Sequence, residues 1–346
     1  TNKKNIVIEG FEINATDSYC IVLWNCENVI IRNSKFTTAP NIRAIYLNNC
    51  KNVTVIDSYF ENVYEGVLAA GTTGNIKIEY NDFKNIRGQL DGGSYFANAV
   101  QFKNVSGSGN SISYNSIENI QGQSSPEDII NIYMSNGTAA SPIKINNNWL
   151  RGGGPNPSGG GILLGDNGGS YQIAENNILV NPGQYGMGIA GGTHMTLRNN
   201  KIYAKRQSFT NVGLSIVNWT QNETGKSHNI TAEKNEINWT NKDGKQNAWW
   251  IYENMEPLNG KETNKINSKL DESILPKDIL NRPNNSGDDT PPVTPPEPES
   301  PSLITEVYID SFKRIAIKYL VPSIPVAHAE GYTSTGQLLI AMTLPR

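Results

Sequence analysis

The chain has 346 residues, 18% of them charged, and a formal net charge of −3. A slightly acidic chain is a poor partner for the phosphate backbone, so we expect no binding to nucleic acid. No apolar run approaches the roughly 18 residues that a membrane span requires, so we expect no transmembrane segment. These properties predict a monomeric protein that neither binds nucleic acid nor crosses a membrane.

A short pattern recurs along the first two thirds of the chain. Its clearest copy, NIKIEYNDF at 75–83, alternates apolar and polar residues, continues with a polar pair and ends on one more apolar residue. Successive copies are most often 23 or 24 residues apart, and the longest interval is 35. A period near 23 with insertions is typical of a solenoid. The position two before the final apolar residue forms a column that is polar in every copy but the first. Its members are Phe11, Ser34, Ser58, Asn81, Asn115, Asn148, Asn177, Asn200 and Asn235.

Each repeat also contains a second strand-like segment, for example CIVLWN at 20–25 and NAVQFKN at 98–104. These segments alternate with turns rich in Gly, Asn and Ser, and no helical linkers separate them, which excludes a doubly wound α/β fold. Parallel strands in a coil stack at about 4.8 Å without crossover helices. We therefore predict an all-β fold, a right-handed parallel β-helix, in which the Asn column bonds along the stack and has a structural role.

Composition predicts three regions. The β-helix occupies 1–282 and ends in a C-terminal cap, and because its first coil begins at residue 1, we expect a signal and an N-terminal cap to be missing. Residues 283–302 are rich in proline and acids, which predicts an extended linker. Residues 303–346 return to apolar alternation, which predicts a small β module.

Cys26 and Cys50 are 24 residues apart, so we expect them to stack on adjacent coils. Strand spacing permits a disulfide, and a pair of buried thiols is the alternative. Cys20 has no partner, and the pattern predicts no metal site.

The intervals between Asn81 and Asn177 are enlarged, at 34, 33 and 29 residues. Insertions in a solenoid emerge as loops, often on one binding face, so we predict a groove over these coils. Neutral drift of surface loops is the alternative interpretation.

Alternation also separates the two faces of the second strands. Lys103 should lie on the outer face beside Tyr133, since equivalent residues of adjacent coils are about 5 Å apart. The residues predicted to point inward are Ile45, Leu47, Val100, Phe102, Ile130, Ile132, Ile162, Leu164, Met187 and Ile189. The candidate catalytic residues around the predicted groove are Lys103, Tyr133, Glu127, Asp128, Arg151 and Asp166, and the candidate substrate-binding residues are Asp91, Gln101, Asn131, Tyr185 and His194.

Two chemistries suit these side chains. A lyase acting on uronates needs a cation to neutralise the carboxylate and a base to take a proton, roles that Lys103, Tyr133, Arg151 and His194 could fill. Bound Ca²⁺ on Asp or Glu is compatible with this chemistry, although no cofactor is required. A glycosidase needs two carboxyl groups, and Asp166 could pair with Glu127 or Asp128, as could Asp91.

Each candidate also has a structural interpretation. Lys103 and Tyr133 could be ordinary outward residues, while Glu127, Asp128 and Asp166 could stabilise turns. Arg151 could bond loop carbonyls. The aromatic residues Trp24, Tyr46, Trp219, Trp239, Trp250 and Tyr252 could stack on sugars, but the Trp-rich end is more simply the core of the cap.

The repeats and Asn column at 1–255 resemble the pectate-lyase-like superfamily of parallel β-helices. The resemblance implies an extracellular protein that acts on acidic polysaccharides. The family's G-H-G, W-I-D-H and R-x-P-x-x-R signatures are absent, so no named activity transfers. We expect a secreted or cell-surface protein with a polysaccharide substrate: first a polysaccharide lyase, next a glycoside hydrolase, and otherwise a glycan-binding adhesin without catalysis.

The C-terminal region carries a second resemblance. SFKRIAIKY at 311–319 and STGQLL at 334–339, after a Pro-rich linker, resemble the C-terminal sorting domain of Bacteroidetes type IX secretion. The sequence departs from that pattern at 308–311, where YIDS stands in place of YPNP. The resemblance implies secretion machinery as a partner of residues 303–346, and a small carbohydrate-binding or adhesion module is the alternative.

Overall fold

The computed structural model describes residues 1–72, 74–91 and 96–280, with only the backbone of Asp91, and the backbone of strands between residues 303 and 343. Within 1–280 the chain coils through three stacks of parallel strands, named A, B and C in the order in which a coil visits them. The linker predicted at 283–302 lies outside the described residues.

The strands of stacks A and C are the two strand-like segments of each repeat. The short strand of stack B contains the apolar residue that ends the repeated pattern. Stack A comprises Lys4–Glu9, Glu27–Arg32, Lys51–Ile56, Ile76–Glu79, Ser111–Ser113, Ile143–Asn146, the end of Ile162–Glu175, Thr193–Arg198, His228–Glu233 and Leu258–Asn259. Stack B comprises Glu12–Ala15, Lys35–Thr38, Tyr59–Glu61, Asp82–Lys84, Ser116–Glu118, Trp149–Arg151, Ile178–Val180, Lys201–Ala204, Glu236–Trp239 and Lys265–Ile266. Stack C comprises Ile21–Trp24, Arg43–Asn48, Glu65–Ala70, Val100–Lys103, Ile130–Asn136, the start of Ile162–Glu175, Tyr185–Ile189, Val212–Ile216 and Trp249–Ile251.

In the part of the chain that the structure describes, helix is confined to single turns. The α-helix is Gln221–Thr224, and the 3₁₀ turns are Gly88–Asp91, Glu253–Met255, Lys261–Thr263 and Glu272–Ile274. In the C-terminal region Leu303–Ile309 pairs antiparallel with Ile315–Leu320, and His328–Ser334 pairs antiparallel with Gln337–Thr343.

The core lies inside the coils because one side of every strand is apolar. Phe36, Phe60 and Phe83, one coil apart in stack B, are completely buried, with ring centroids 4.9 and 4.4 Å apart. The ten residues predicted to point inward from stack C are also fully buried, which confirms that prediction. Burying a side chain of this size contributes about 1.5–3 kcal/mol, so the stack of coils itself stabilises the fold.

The Asn column is a continuous hydrogen-bonded ladder. The Asn115 Nδ2 donates to Asn148 Oδ1 at 3.1 Å, and the Asn148 Nδ2 donates to Asn177 Oδ1 at 2.9 Å. The backbone N–H of each of these donor residues bonds the same oxygen, at 3.0 Å in both cases. All these side chains are fully buried, so each amide satisfies backbone groups that the turn leaves unpaired. The predicted structural role is confirmed.

The cysteines are free and buried. Cys26 and Cys50 lie on adjacent coils, since the Lys51 N–H donates to the Cys26 carbonyl at 2.9 Å. Of the two alternatives left open by the sequence, the structure contains the buried thiols.

Candidate functional site

A cleft of about 190 Å³ opens on the outer face of stack C. Its polar lining comes from loops and strands that are far apart in sequence: Glu127, Asp128, Ser158, Asp166, Asn167, Tyr185, Ser215 and Thr220. The prediction of a groove between Asn81 and Asn177 is therefore only partly correct, because the cleft extends to the loop that directly follows the strand Val212–Ile216. The enlarged interval between Asn200 and Asn235 was the sequence signal for this wall, which carries Trp219 and Thr220.

A bulge at the corner of the strand Ile162–Glu175 sets the position of Asp166. Asn131 pairs with Leu163, whereas Tyr133 pairs with Asp166, so one extra residue is inserted between the two pairs. Gly165 makes the insertion possible with a left-handed φ of +64°. Bulges of this kind re-aim side chains and are frequent beside functional sites.

Asp128 lies at the floor of the cleft and is only 2% exposed. Its Oδ1 accepts hydrogen bonds from the Gly160 N–H, at 3.0 Å, and from the Tyr185 hydroxyl. Its Oδ2 accepts from the Asn131 side-chain amide at 2.9 Å. Both carboxyl oxygens are thereby held in place by donors from three different coils.

Asn131 connects the two aspartates. Its Nδ2 donates to Asp128 Oδ2 and to Asp166 Oδ2, each at 2.9 Å, and its Oδ1 accepts from Gln101 at 3.2 Å. The two hydrogens of a planar amide diverge by roughly 120°, so the two carboxyl oxygens are about 5 Å apart. Asn131 thus holds two acids at the spacing of one coil.

The acids of this cluster hold protons more strongly than exposed acids do. Burial, together with the neighbouring Asp128, raises the pKa of Glu127 to about 8, although a 3.0 Å hydrogen bond from Ser158 opposes the rise. Burial raises the pKa of Asp128 to about 7 against the opposing bonds from Tyr185 and Asn131, and it also raises the pKa of Asp166. Carboxyl groups this close do not all ionise together, so the cluster retains a proton near neutral pH.

Lys103 and Tyr133 are neighbours, as predicted. Their strands pair at this position, and the Lys103 ammonium lies 5.5 Å from the centre of the Tyr133 ring. The Tyr133 hydroxyl accepts from Asn167 Nδ2 at 3.1 Å, which brings it to the rim of the cleft. Lys103 is exposed and does not line the cleft.

The structure does not bring Arg151 or His194 into the cleft. Arg151 lies in stack B, where it pairs with Glu118 at 3.2 Å and donates to the carbonyls of Pro276 and Lys277. Arg151 therefore holds the C-terminal segment in place, which agrees with the structural interpretation that it bonds loop carbonyls. His194 stacks on Tyr171 in stack A with ring centroids 4.3 Å apart. The side chain of Asp91 lies outside the described residues.

Asp128 has little room for the Ca²⁺ that the sequence left open. The oxygens of Asp128 already accept from N–H and O–H donors, which leaves a cation little to bind. In the described part of the chain, no group of three or more His, Cys, Asp or Glu side chains is arranged to hold a metal ion.

A second buried acid, Glu65, lies at the start of a neighbouring strand of stack C. It is completely buried and pairs with Arg43, and its Oε1 has no hydrogen-bond partner among the described residues. Burial raises the pKa of Glu65 to about 7, and the charge of Arg43 opposes the rise. The folded chain therefore keeps a proton that an unfolded chain releases near pH 4.5.

This proton makes stability depend on pH. Between about pH 4.5 and 7 the folded state binds more protons, so the free energy of unfolding should fall as pH rises through this window, by up to about 3 kcal/mol. We expect Glu65→Gln to reduce the fall and to stabilise the protein above pH 7, as measured by urea unfolding at pH 5 and pH 8. Glu12→Gln, at an exposed ion pair with Lys35, is the control. An unchanged pH dependence in Glu65→Gln would contradict the assignment.

The fold and the cleft define a parallel β-helix protein with an acidic cluster on one outer face. Residues 1–178, just over half of the chain, match the family described as right handed beta helix region, and the chain belongs to this family. No curated protein and no solved structure matches the chain. Membership fits carbohydrate-active or glycan-binding proteins in general. Among the described residues, no helix combines the length and the apolar character that a bilayer crossing needs.

Proposed function

We propose that the protein is a glycoside hydrolase that cleaves a polysaccharide held against the outer face of stack C. The observation that carries the proposal is the convergence of Glu127, Asp128 and Asp166, with raised pKa values, in one cleft. Glycosidases need one carboxyl group that stays protonated near neutral pH and a second that is ionised.

Exposure sets Asp128 apart from the other two acids, and Glu127, with a pKa of about 8, is the acid that keeps its proton near neutral pH. Glu127 is half-buried and protonated near neutral pH, and it donates its proton to the glycosidic oxygen as the C–O bond breaks. Asp166, also half-buried, stabilises the positive charge that develops at the anomeric carbon. A water molecule completes the hydrolysis: its hydroxyl bonds to the anomeric carbon, and its proton returns to the carboxyl pair to replace the one that Glu127 gave up. Asp128 is buried and fully hydrogen-bonded, so it is a positioning residue that holds Tyr185 and Asn131, and through Asn131 it holds Asp166.

The charge of the cleft favours this reaction over the uronate lyase that the sequence put first. The charged groups among the described residues of the lining are all acidic. A lyase must neutralise the substrate carboxylate, and an acidic cleft would repel it. The candidate cations of the sequence, Lys103, Arg151 and His194, lie outside the lining. A neutral glycan and hydrolysis suit this charge better.

The products of digestion test the proposal. The protein is incubated with a panel of neutral and uronic polysaccharides, and both new reducing ends and ultraviolet absorbance are followed. We expect reducing ends from a neutral polymer without the absorbance of an unsaturated uronate. An increase in that absorbance would replace the hydrolase with a lyase, and no cleavage of any polymer would contradict catalysis.

The anomeric form of the first product reports the distance between the two catalytic carboxyl groups. Retention corresponds to about 5–5.5 Å and inversion to about 6.5–9.5 Å.

The bulge offers a test of how Asp166 is positioned. A Cβ at Gly165 would lie 2.2 Å from the carbonyl oxygen of Gly191, so Gly165→Ala must move the bulge. We expect hydrolysis to fall roughly 100-fold, because a displacement of about 1 Å can cost this much. Gly71→Ala is a matched control: its φ is +60°, and an added Cβ meets nothing within 4 Å. It should lose about 1 kcal/mol of stability and keep its activity. Equal activity of the two variants would contradict the role of the bulge.

Extracellular action belongs to the same proposal. Its support is the resemblance of 311–319 and 334–339 to a secretion sorting domain, together with polymeric substrates that cells meet outside their membranes. The measurement that checks it compares two proteins: the chain that carries residues 303–346 and the chain that ends at residue 302. We expect only the first to be exported.

A further inference from the structure

The outer face of stack C continues past the cleft toward the end of the β-helix. One row of outward positions, one per coil, reads Leu163, Gly188, Ser215 and Trp250. Gly188 and Ser215 are small and the side chain of Leu163 leans over Gly188, so a low floor lies between the acids and Trp250. Three coils at about 4.8 Å make this floor about 14 Å long.

Aromatic side chains stand at the far end of the floor. Trp219, on the wall of the cleft, is 66% exposed, and Tyr252 is 49% exposed. Their ring centroids are 6.1 Å apart and their planes are tilted by 51°, so the two rings are adjacent apolar faces at an angle to each other. Most aromatic rings of a folded chain are removed from water, as is Trp239, which is completely buried. The sequence expectation that these aromatics form the core of the cap is therefore wrong for Trp219 and Tyr252.

A second pocket adjoins the rings. It has a volume of about 410 Å³ and is lined by Trp249, Trp250, Ile251, Tyr252 and Lys261. Lys261 pairs with Glu256 at 2.8 Å, which neutralises the cation that borders this pocket. Tyr252 lines this pocket and touches Trp219, which lines the cleft, so the aromatic rings join the two cavities.

We propose that Trp219, Trp250 and Tyr252 form a sugar-binding platform that holds a neutral polysaccharide chain leading away from the cleft. Flat rings suit stacking on the apolar faces of pyranose rings. The acids of the adjoining cleft would repel an anionic chain, so the occupant is neutral. The platform lies beyond the acids along the coil axis, so its occupant is an extended chain of several sugars and not a disaccharide. The inference rests on the proposed function for the identity of the cleft, but it makes its own prediction about binding.

Binding tests it without relying on catalysis. Native gel electrophoresis and tryptophan fluorescence titration are performed with soluble β-glucan, xyloglucan and galactomannan, and with polygalacturonate and alginate as acidic comparisons. We expect at least one neutral polymer to bind and the double variant Trp219→Ala/Tyr252→Ala to bind it at least tenfold more weakly. Trp24→Ala removes an exposed tryptophan at the opposite end of stack C, and should bind as the unaltered protein does.

The outcomes separate this inference from the proposed function. Platform-dependent binding without cleavage would support the platform and contradict the hydrolase. Cleavage of a polymer by the double variant at an unchanged rate and affinity would support the hydrolase and overturn the platform. Binding of acidic polymers alone, an equal loss in Trp24→Ala, or no binding of any polymer would also overturn the platform. Because both altered rings are exposed, unfolding curves should show that the double variant remains folded.

Discussion

Replacing Asp166 by Asn or Glu127 by Gln should lower glycan hydrolysis roughly 10²- to 10⁴-fold, the usual contribution of a positioned acid or base. Neither change should reduce stability, because each removes a carboxyl group whose burial opposes ionisation. The measurement is kcat/KM on the polymer that the panel identifies, with urea unfolding to show that each variant is folded. Activity within threefold of the unaltered protein in either variant would contradict its role.

The pH profile should distinguish the two acids. Glu127 acts as an acid, so activity should fall as pH rises through the pKa of about 8 that burial gives it. Asp166 acts as a carboxylate, and because burial raises its pKa, the fall on the acid side should begin above the pH range of an exposed aspartate. The residual activity of Glu127→Gln should lose the alkaline fall and keep the acid one. Glu175→Gln, at an ion pair with Arg198 in stack A, is a matched control and should leave both limbs unchanged.

Replacing Asn148 by Leu should destabilise the protein by about 5 kcal/mol. The Asn148 amide donates to the Ile112 carbonyl and to Asn177 Oδ1, both at 2.9 Å, and its oxygen accepts from the N–H and the side chain of Asn115. Leucine has a similar size but removes these bonds from the buried Asn115 N–H and Ile112 carbonyl, at about 1–3 kcal/mol each. Asn177 Oδ1 and Asn115 Nδ2 each lose one of two bonds and keep the other, to the Asn148 N–H and the Ile78 carbonyl. The midpoint of urea unfolding, followed by far-ultraviolet circular dichroism, measures the loss.

The other end of the same column provides the comparison. Ser58 makes fewer bonds: its hydroxyl accepts from the Ser34 N–H at 3.3 Å and donates to the Ile56 carbonyl at 3.0 Å. Ser58→Ala should therefore cost about 1–2 kcal/mol. If both variants lost equal stability, the loss would not arise from the amide ladder.

The acids of the candidate site were partly accessible to sequence reasoning. Register arithmetic placed Lys103 beside Tyr133, and the pairing of these strands bears it out. Glu127 and Asp128 come just before one strand of stack C and Asp166 pairs with Tyr133 near the exit of that strand, so the repeat places the acids on adjacent coils and no nearer. The shared amide of Asn131 was not foreseen, because a hydrogen bond to both acids depends on the bulge at Gly165.

The sequence by itself determined the coil, its apolar core and the side of the stack C strands that is buried, because alternation of apolar residues and a regular repeat act locally and alike in every coil. Only the tertiary structure decided where the loops meet. Arg151 bonds a carbonyl 125 residues further along the chain, and Trp219 closes a cleft that begins at Glu127. Such contacts depend on the direction in which each insertion leaves its turn, and that direction is set by packing between coils and by single left-handed residues, not by the repeat.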